Sequence, residues 1–403
     1  MATFSLKSCS LFARNCILAT NKQFTKSPLQ QAAARYLPYY SDTLQIMKRL
    51  FTTLFFLTTF FVVSGQTTID FADSIRIKYK IPELVFAVVS ADTIIELQTL
   101  GVQRINTDFK AKTDDRFHIG SNTKAITSFI AALLVDQGKI KWNTKFIDLF
   151  PELKQKSRKE YQDITLQDLL TFRGKLPAYT YTFDKPTKKQ ITGDNAEQRI
   201  KLAKYFLAQN PMQSENGLTP SNADYILAGL MLERATQKPF KELVIDFGNT
   251  QGISFGFDYP NLSDTLQPWG HDINLKPLPP FDNYKLNWLL SAGNINVSLP
   301  DYIKFIQLQL KGLNGQSKIL SLQTFDKLLY GLPTFSFGWF NKLDTEKNHH
   351  IAYNEGNAGA FITQVQIIKE TGKAFIIFTN SSTEETKKGI EILMNRLQKK
   401  YGR

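Results

Sequence analysis

Apolar residues recur along this chain in two periods, and the places where one period gives way to the other mark out its elements. Ile126, Phe129, Ile130, Leu133 and Leu134 fall at i, i+3, i+4, i+7 and i+8, one buried helix face, and Gly138 stops that helix. Before it, Leu84–Val89 and Thr93–Leu97 read as two strands joined at Ser90-Ala91-Asp92, a hairpin. Residues 67–80 read as a helix that Pro82 ends, and Phe146–Phe150 as a short one ended by Pro151. Thr165 opens a helix with Asp168 three residues on. Ser221 caps another with Asp224 at the matching position and Ile226, Leu227, Leu230 and Met231 as its apolar face. Pro300 opens a helix that carries Ile303, Phe305, Ile306 and Leu308. The end of the chain returns to alternation, with Phe361–Ile368 turning at Glu370-Thr371-Gly372 into Lys373–Phe378. A last helix then starts at Ser382 with Glu385 as its capping-box partner and buries Ile390, Leu393, Met394 and Leu397. Residues 172–181 form a loop rich in Gly, Pro and Tyr, residues 184–195 a polar excursion, and residues 253–283 irregular connections.

Strands at both ends and helices between them predict an α+β fold: one antiparallel sheet built from both chain ends, flanked by terminal helices, with a large inserted helical domain. The expected division is residues 66–120 plus 345–403 for the sheet and 121–344 for the helical part. Composition changes this picture little, since 42% hydrophobic and 21% charged residues are ordinary for a globular chain. The net charge of +13 is uneven. Lys7, Arg14, Lys22, Lys26, Arg35, Lys48 and Arg49 face Asp42 alone in residues 1–65, and the other half is scattered, a solvated surface rather than a nucleic-acid footprint.

Residues 1–65 read as a targeting segment. Met47-Lys48-Arg49, an apolar run through Val63 and then Ser64-Gly65 have the charged, apolar and small-residue order of a signal peptide over 47–65, too short to span a membrane. The upstream part is an over-extended start or, alternatively, a mitochondrial transit peptide. Export to the periplasm or medium is therefore expected, with no stable membrane span in the mature chain. Cys9 and Cys16 lie in this segment, so the mature chain has no disulfide, zinc–cysteine site or thiol nucleophile.

The chemistry concentrates at Phe117-His118-Ile119-Gly120-Ser121-Asn122-Thr123-Lys124. A helix that starts after Gly120 places Ser121 and Lys124 one turn apart on the same side. Its amino end offers unpaired N–H groups and a positive partial charge to an anion near the serine oxygen. A lysine held there beside apolar neighbours loses part of its preference for charge, and a neutral amine can take the serine proton. His118 reads as a hydrogen-bonded core histidine rather than a triad member, and His349-His350 as part of a solvated loop. No metal or cofactor is expected. Gly-x-Ser-x-Gly, phosphate-loop and dinucleotide patterns are missing from the sequence.

With these segments in order, the chain resembles the serine β-lactamase and penicillin-binding superfamily, in particular its class C β-lactamase, D-alanyl-D-alanine carboxypeptidase and esterase branch. Ile81-Pro82, Gly120-Ser121-x-x-Lys124, Leu169-Leu170-Thr171 before Leu176-Pro177, Ser221-Asn222-x-x-Tyr225 and Gly356-x-x-Gly359 carry it. The resemblance implies Ser121 as nucleophile with Lys124 as its base, Asn222 beside them, and an oxyanion hole of the Ser121 and Ala360 N–H groups. Two positions depart from the pattern. Pro220-Ser221-Asn222 stands where the family has Tyr or Ser first. Asn357-Ala358-Gly359 stands where it has Lys or His, then Thr or Ser, then Gly. Asn357 and Gly359 are expected to contact substrate, and where the motif tyrosine is lost either Lys124 acts alone or Tyr179 or Tyr181 reaches in. The implied function is a serine hydrolase acting on a small-molecule or peptide-like ester or amide, without nucleic acid and with oligomeric state left open. The alternative is a non-catalytic binding protein on the same fold.

Overall fold

In the computed structural model, described here for residues 66–402 apart from 215, the first strand shows why the sheet lies where it does. The strand β1 (Glu83–Ser90) is apolar at nearly every position because both its faces are covered. Leu84, Phe86 and Val88 point to a core shared with the terminal helices α1 (Thr68–Lys78) and α8 (Glu384–Tyr401). Val85, Ala87 and Val89 point to the larger core on the other face. The antiparallel partner β2 is Ile94–Gly101, so the hairpin at Ser90-Ala91-Asp92 forms as expected.

The sheet has seven strands in the order β2-β1-β9-β8-β7-β6-β5, every neighbouring pair antiparallel. Its later members are β5 (Phe335–Ser336), β6 (Trp339–Asp344), β7 (His349–Asn357), β8 (Ile362–Ile368) and β9 (Lys373–Thr379). Strands β5 to β7 escaped the periodicity, since their residues are interrupted by glycine, asparagine and lysine. The sheet therefore starts upstream of residue 345, and His349-His350 sit on a strand rather than in a loop, with the His350 ring 2.7 Å from the Glu370 carboxylate. A two-stranded ribbon, β3 (Arg116–His118) with β4 (Asn296–Ser298), leads into the serine turn.

Between the two sheet segments run α2 (Thr123–Asp136), α3 (Asn195–Leu207), α4 (Asn222–Thr236), α5 (Phe240–Gln251), α6 (Leu299–Leu313) and α7 (Leu322–Tyr330), with shorter helical turns. Helix α2 is the pivot: every residue from Thr123 to Ala132 is buried, a wider burial than its periodic stripe alone predicts. Two ends differ from expectation. Thr383, not Ser382, caps α8, leaving the Ser382 hydroxyl to donate to the Gly359 carbonyl. Ser221 caps α4 by accepting from Ala223 N, while Asp224 turns inward instead of closing a capping box. Residues 195–207 form a full helix behind an Asp194–Glu197 capping box. The targeting segment read in residues 1–65 lies outside the described residues. Among the described residues, no helix is long and apolar enough to cross a membrane.

Candidate active site

The Ser121 turn is built by two close approaches. Gly120 takes φ +50, and a Cβ there would lie 2.7 Å from the Asn357 backbone nitrogen. Gly356 is pressed harder still, for a Cβ there would lie 1.9 Å from the Ile119 carbonyl oxygen. Ser121 therefore stands on a short 3-10 turn (Gly120–Asn122), wedged against β7 and running straight into α2. His118 holds this turn from below. Its Nδ1 accepts from Gly120 N at 3.3 Å, and its Nε2 lies 3.2 Å from Asn294 Oδ1. Burial holds the ring neutral, its pKa lowered to about 4, so His118 is the structural histidine expected.

Lys124 lies at the centre. Its Nζ is 2.9 Å from Ser121 Oγ, 2.7 Å from Asn222 Oδ1 and 2.7 Å from the Ala292 carbonyl. Only 4% of the residue is exposed. The Tyr225 ring closes one side, its centroid 5.5 Å from the amine. This desolvation lowers the amine to about 7, against a smaller opposing pull from Asp224. Asn222 is held in turn, donating from Nδ2 to the Tyr179 carbonyl at 3.0 Å, so that Oδ1 faces the lysine. Asp224 is buried against Gly174, where a Cβ would lie 2.1 Å from its Oδ1, and burial pushes its carboxyl well above the ordinary range.

Other predicted residues fall less centrally. Tyr179 contributes its carbonyl. Its ring packs on Phe183 and Phe206, and its buried hydroxyl has no hydrogen-bond partner among the described residues. The Tyr181 hydroxyl donates to Asn357 Oδ1 at 3.4 Å rather than to Ser121 or Lys124. Tyr225 is a core aromatic whose hydroxyl donates to the Leu170 carbonyl at 2.7 Å. Gly359 (φ +80) and Ala360 form the tight turn between β7 and β8, closed by the bond from Ala358 N to the Phe361 carbonyl. Ala360 is fully buried there, its carbonyl accepting from His271 N at 3.2 Å, and it lines neither cavity beside the serine.

Two participants were missed. Ala292 acts through a backbone carbonyl, which no side-chain pattern can mark. Asn354 donates from Nδ2 to the Ser121 carbonyl at 3.3 Å and to the Gly338 carbonyl at 2.7 Å. Its signal was the spacing Asn354-x-Gly356, in register with the glycine that touches the serine turn.

A buried serine–lysine pair, an asparagine from a neighbouring helix and an antiparallel strand passing beside the serine fit a β-lactamase/transpeptidase-like fold. The chain belongs to the Beta-lactamase family, whose profile matches residues 66–396, and its members are serine hydrolases in general. It is 22% identical over 307 residues to "Protein flp" of Staphylococcus aureus, covering 74% of this chain and 59% of that protein. It is 24% identical over 312 residues to "Unguisins hydrolase ungD'" of Aspergillus campestris, covering 71% and 56%. The chain thus spans under two thirds of the length of these curated relatives. A class C β-lactamase from Rhodobacter sphaeroides superposes with a TM-score of 0.66 at 16% identity, over 82% of this chain and 99% of that one.

Proposed function

We propose that this protein is an exported serine hydrolase that cleaves an ester, and less readily an amide, through an acyl-enzyme on Ser121 with Lys124 as general base. The observation that carries the reading is the set of partners around the Lys124 amine. Asn222 Oδ1 and the Ala292 carbonyl only accept hydrogen bonds, so they take both N–H groups of a neutral amine. The lone pair is then left for the Ser121 hydroxyl. In acylation the Ser121 proton passes to Lys124 as the Oγ–C bond forms, and the carbonyl oxygen takes up the electron pair. The bond to the leaving oxygen then breaks, and Lys124 returns the proton to that oxygen. Water repeats the sequence on the acyl-enzyme.

The oxyanion donors that fit are the Ser121 N–H and the Asn357 N–H, the latter in place of Ala360. Ala358 N bonds across to β8, so strand alternation turns the Asn357 N–H away from β8 toward the serine turn. The third motif then reads Asn354-Glu355-Gly356. In either register a neutral amide replaces the family's cation, which favours neutral substrates over D-alanyl peptides or penicillins with their carboxylates. Esters gain further because Pro220 supplies no proton, and an ester needs less leaving-group protonation than an amide. The Aspergillus relative is itself named a hydrolase, consistent with this reading.

Pro220 is also the observation behind the second reading, a binding protein that keeps the cleft without the chemistry. A fluorophosphonate probe separates the two. Labelling of the wild-type chain that is lost in both Ser121→Ala and Lys124→Met is the expected result; labelling independent of Ser121 would return the chain to the binding class. Export through Met47–Gly65 is checked by sequencing the amino terminus of the mature protein, which is expected at Gln66.

A further inference from the structure

Ser121 stands between two cavities that divide its neighbours between them. The smaller holds about 50 Å³, room for about three or four water-sized groups, and takes in Gly120, Tyr181 and Asn357 but not Lys124. The larger holds about 330 Å³ and takes in Lys124 and Asn354 but neither Gly120 nor Asn357. Its walls are chiefly Phe172, Tyr179, Phe183, Pro220, Phe335 and Phe340. The rings brace one another, Phe172 stacking on Phe335 at 4.2 Å between centroids and Phe340 meeting Phe335 edge-on at 4.8 Å. Among the described residues on this lining Lys124 is the one amine, and there is no carboxyl.

We infer that the larger cavity receives the alcohol half of the substrate and the smaller one its acyl group, so that the protein prefers esters of a short acid with an uncharged aromatic alcohol. The inference rests on the acyl-enzyme reading above and names the substrate class of that site. The path of the proton decides the sides. Lys124 takes the proton of Ser121 as the Oγ–C bond forms and, as the bond to the alcohol oxygen breaks, returns it to that oxygen. The alcohol must therefore leave where the amine is within reach, and of the two cavities it is the larger whose lining includes that amine. Asn357, whose N–H is assigned to the oxyanion, lines the smaller one, which leaves the acyl substituent room for a methyl or ethyl group and not for a ring. The alcohol oxygen meets the ammonium formed on Lys124, while the carbon skeleton beyond it enters the ring-lined space. An aromatic ring gains edge-to-face contact there as well as burial. An anionic alcohol half would lose its hydration against neutral Pro220 and Asn354.

Isomeric esters test the assignment. Benzyl acetate and methyl phenylacetate have the same atoms, with the ring on the alcohol side in one and on the acyl side in the other. Hydrolysis followed by pH-stat is expected to favour benzyl acetate by at least about tenfold in kcat/KM, the usual discrimination of an apolar pocket. Acetoxyacetate, which keeps the acetyl group but carries a carboxylate on the alcohol side, is expected to fall at least about tenfold below benzyl acetate. Ala178→Trp, at the exposed rim of the larger cavity, is expected to erase the preference between the isomers. An equal rate for the two isomers, a preference for methyl phenylacetate, or an unchanged preference in Ala178→Trp overturns the inference. A measurement without turnover keeps its failure apart from that of the hydrolase reading: saturation-transfer NMR of benzyl alcohol with Ser121→Ala, with and without Ala178→Trp. Contact that the tryptophan abolishes is the expected result. The same contact with no ester turned over by the wild type removes the hydrolase and the alcohol assignment with it, leaving an aromatic-binding cleft. Turnover without benzyl alcohol contact or isomer preference keeps the hydrolase and overturns the assignment.

Discussion

Replacing Lys124 by methionine isolates the claim that its amine is held neutral. A lysine titrates ordinarily near 10.5, and burial beside Tyr225 lowers Lys124 to about 7. At 1.36 kcal/mol per pH unit the difference corresponds to about 5 kcal/mol between folded and unfolded chains. Between those two values the unfolded chain binds more protons than the folded one, so this group makes the protein more stable as pH rises from about 7 toward 10.5. From pH 7 to pH 9 the wild type should therefore gain about 2 kcal/mol relative to Lys124→Met, the slope reaching its full 1.36 kcal/mol per pH unit only about one unit above the folded value. Asp224 is present in both proteins, and its own titration largely drops out of the difference. Urea unfolding at a series of pH values reads the effect directly and needs no substrate. The wild-type kcat/KM for any ester it cleaves should rise through the same region near pH 7, since the neutral amine is the active form. Parallel stability curves for the two proteins, together with a flat rate profile, would falsify the neutral-base argument.

Two further outcomes follow from close packing and buried charge. Gly356→Ala puts a methyl group 1.9 Å from the Ile119 carbonyl, so strand and serine turn must part, at about 3 kcal/mol in urea unfolding. Displacement of Ser121 should also cost on the order of 10²-fold in ester turnover, and a variant with normal turnover would show that β7 does not set the nucleophile. Glu83 is fully buried beside Asp115, and both carboxyls are raised, by burial first and, for Glu83, then by the Asp115 charge. Their stability contribution is complete at low pH and is lost as pH climbs above 4.5. The curve of Glu83→Gln should therefore be flatter than the wild type's between pH 5 and 8, and coincident curves would refute a raised Glu83 carboxyl.

Much of the site was legible because its parts are local. Ser121 and Lys124 are three residues apart, so an apolar helix with a glycine before it was enough to bring hydroxyl and amine together and to foretell a desolvated lysine. Asn222 was placed beside them through the family resemblance alone, on the helix that Ser221 caps. Strands β5 to β7 were not legible, since their period-2 pattern is broken where glycines and asparagines meet the serine turn. The terminal turn of β7 was hard to register for a related reason. Gly356 and Gly359 look alike in sequence, yet one is small because a carbonyl lies against it and the other because a tight turn needs positive φ.

The chain's own pattern was enough for the terminal hairpins, the buried helix and the Ser121–Lys124 pairing, because each depends on residues that are neighbours along it. Only the tertiary structure decided which backbone groups face the serine, that the Ala292 carbonyl completes the lysine's partners, and that Pro220 opens onto an aromatic cavity. Those features come from segments more than a hundred residues apart, and their contacts are set by how the sheet and the helices pack, which a one-dimensional pattern does not encode.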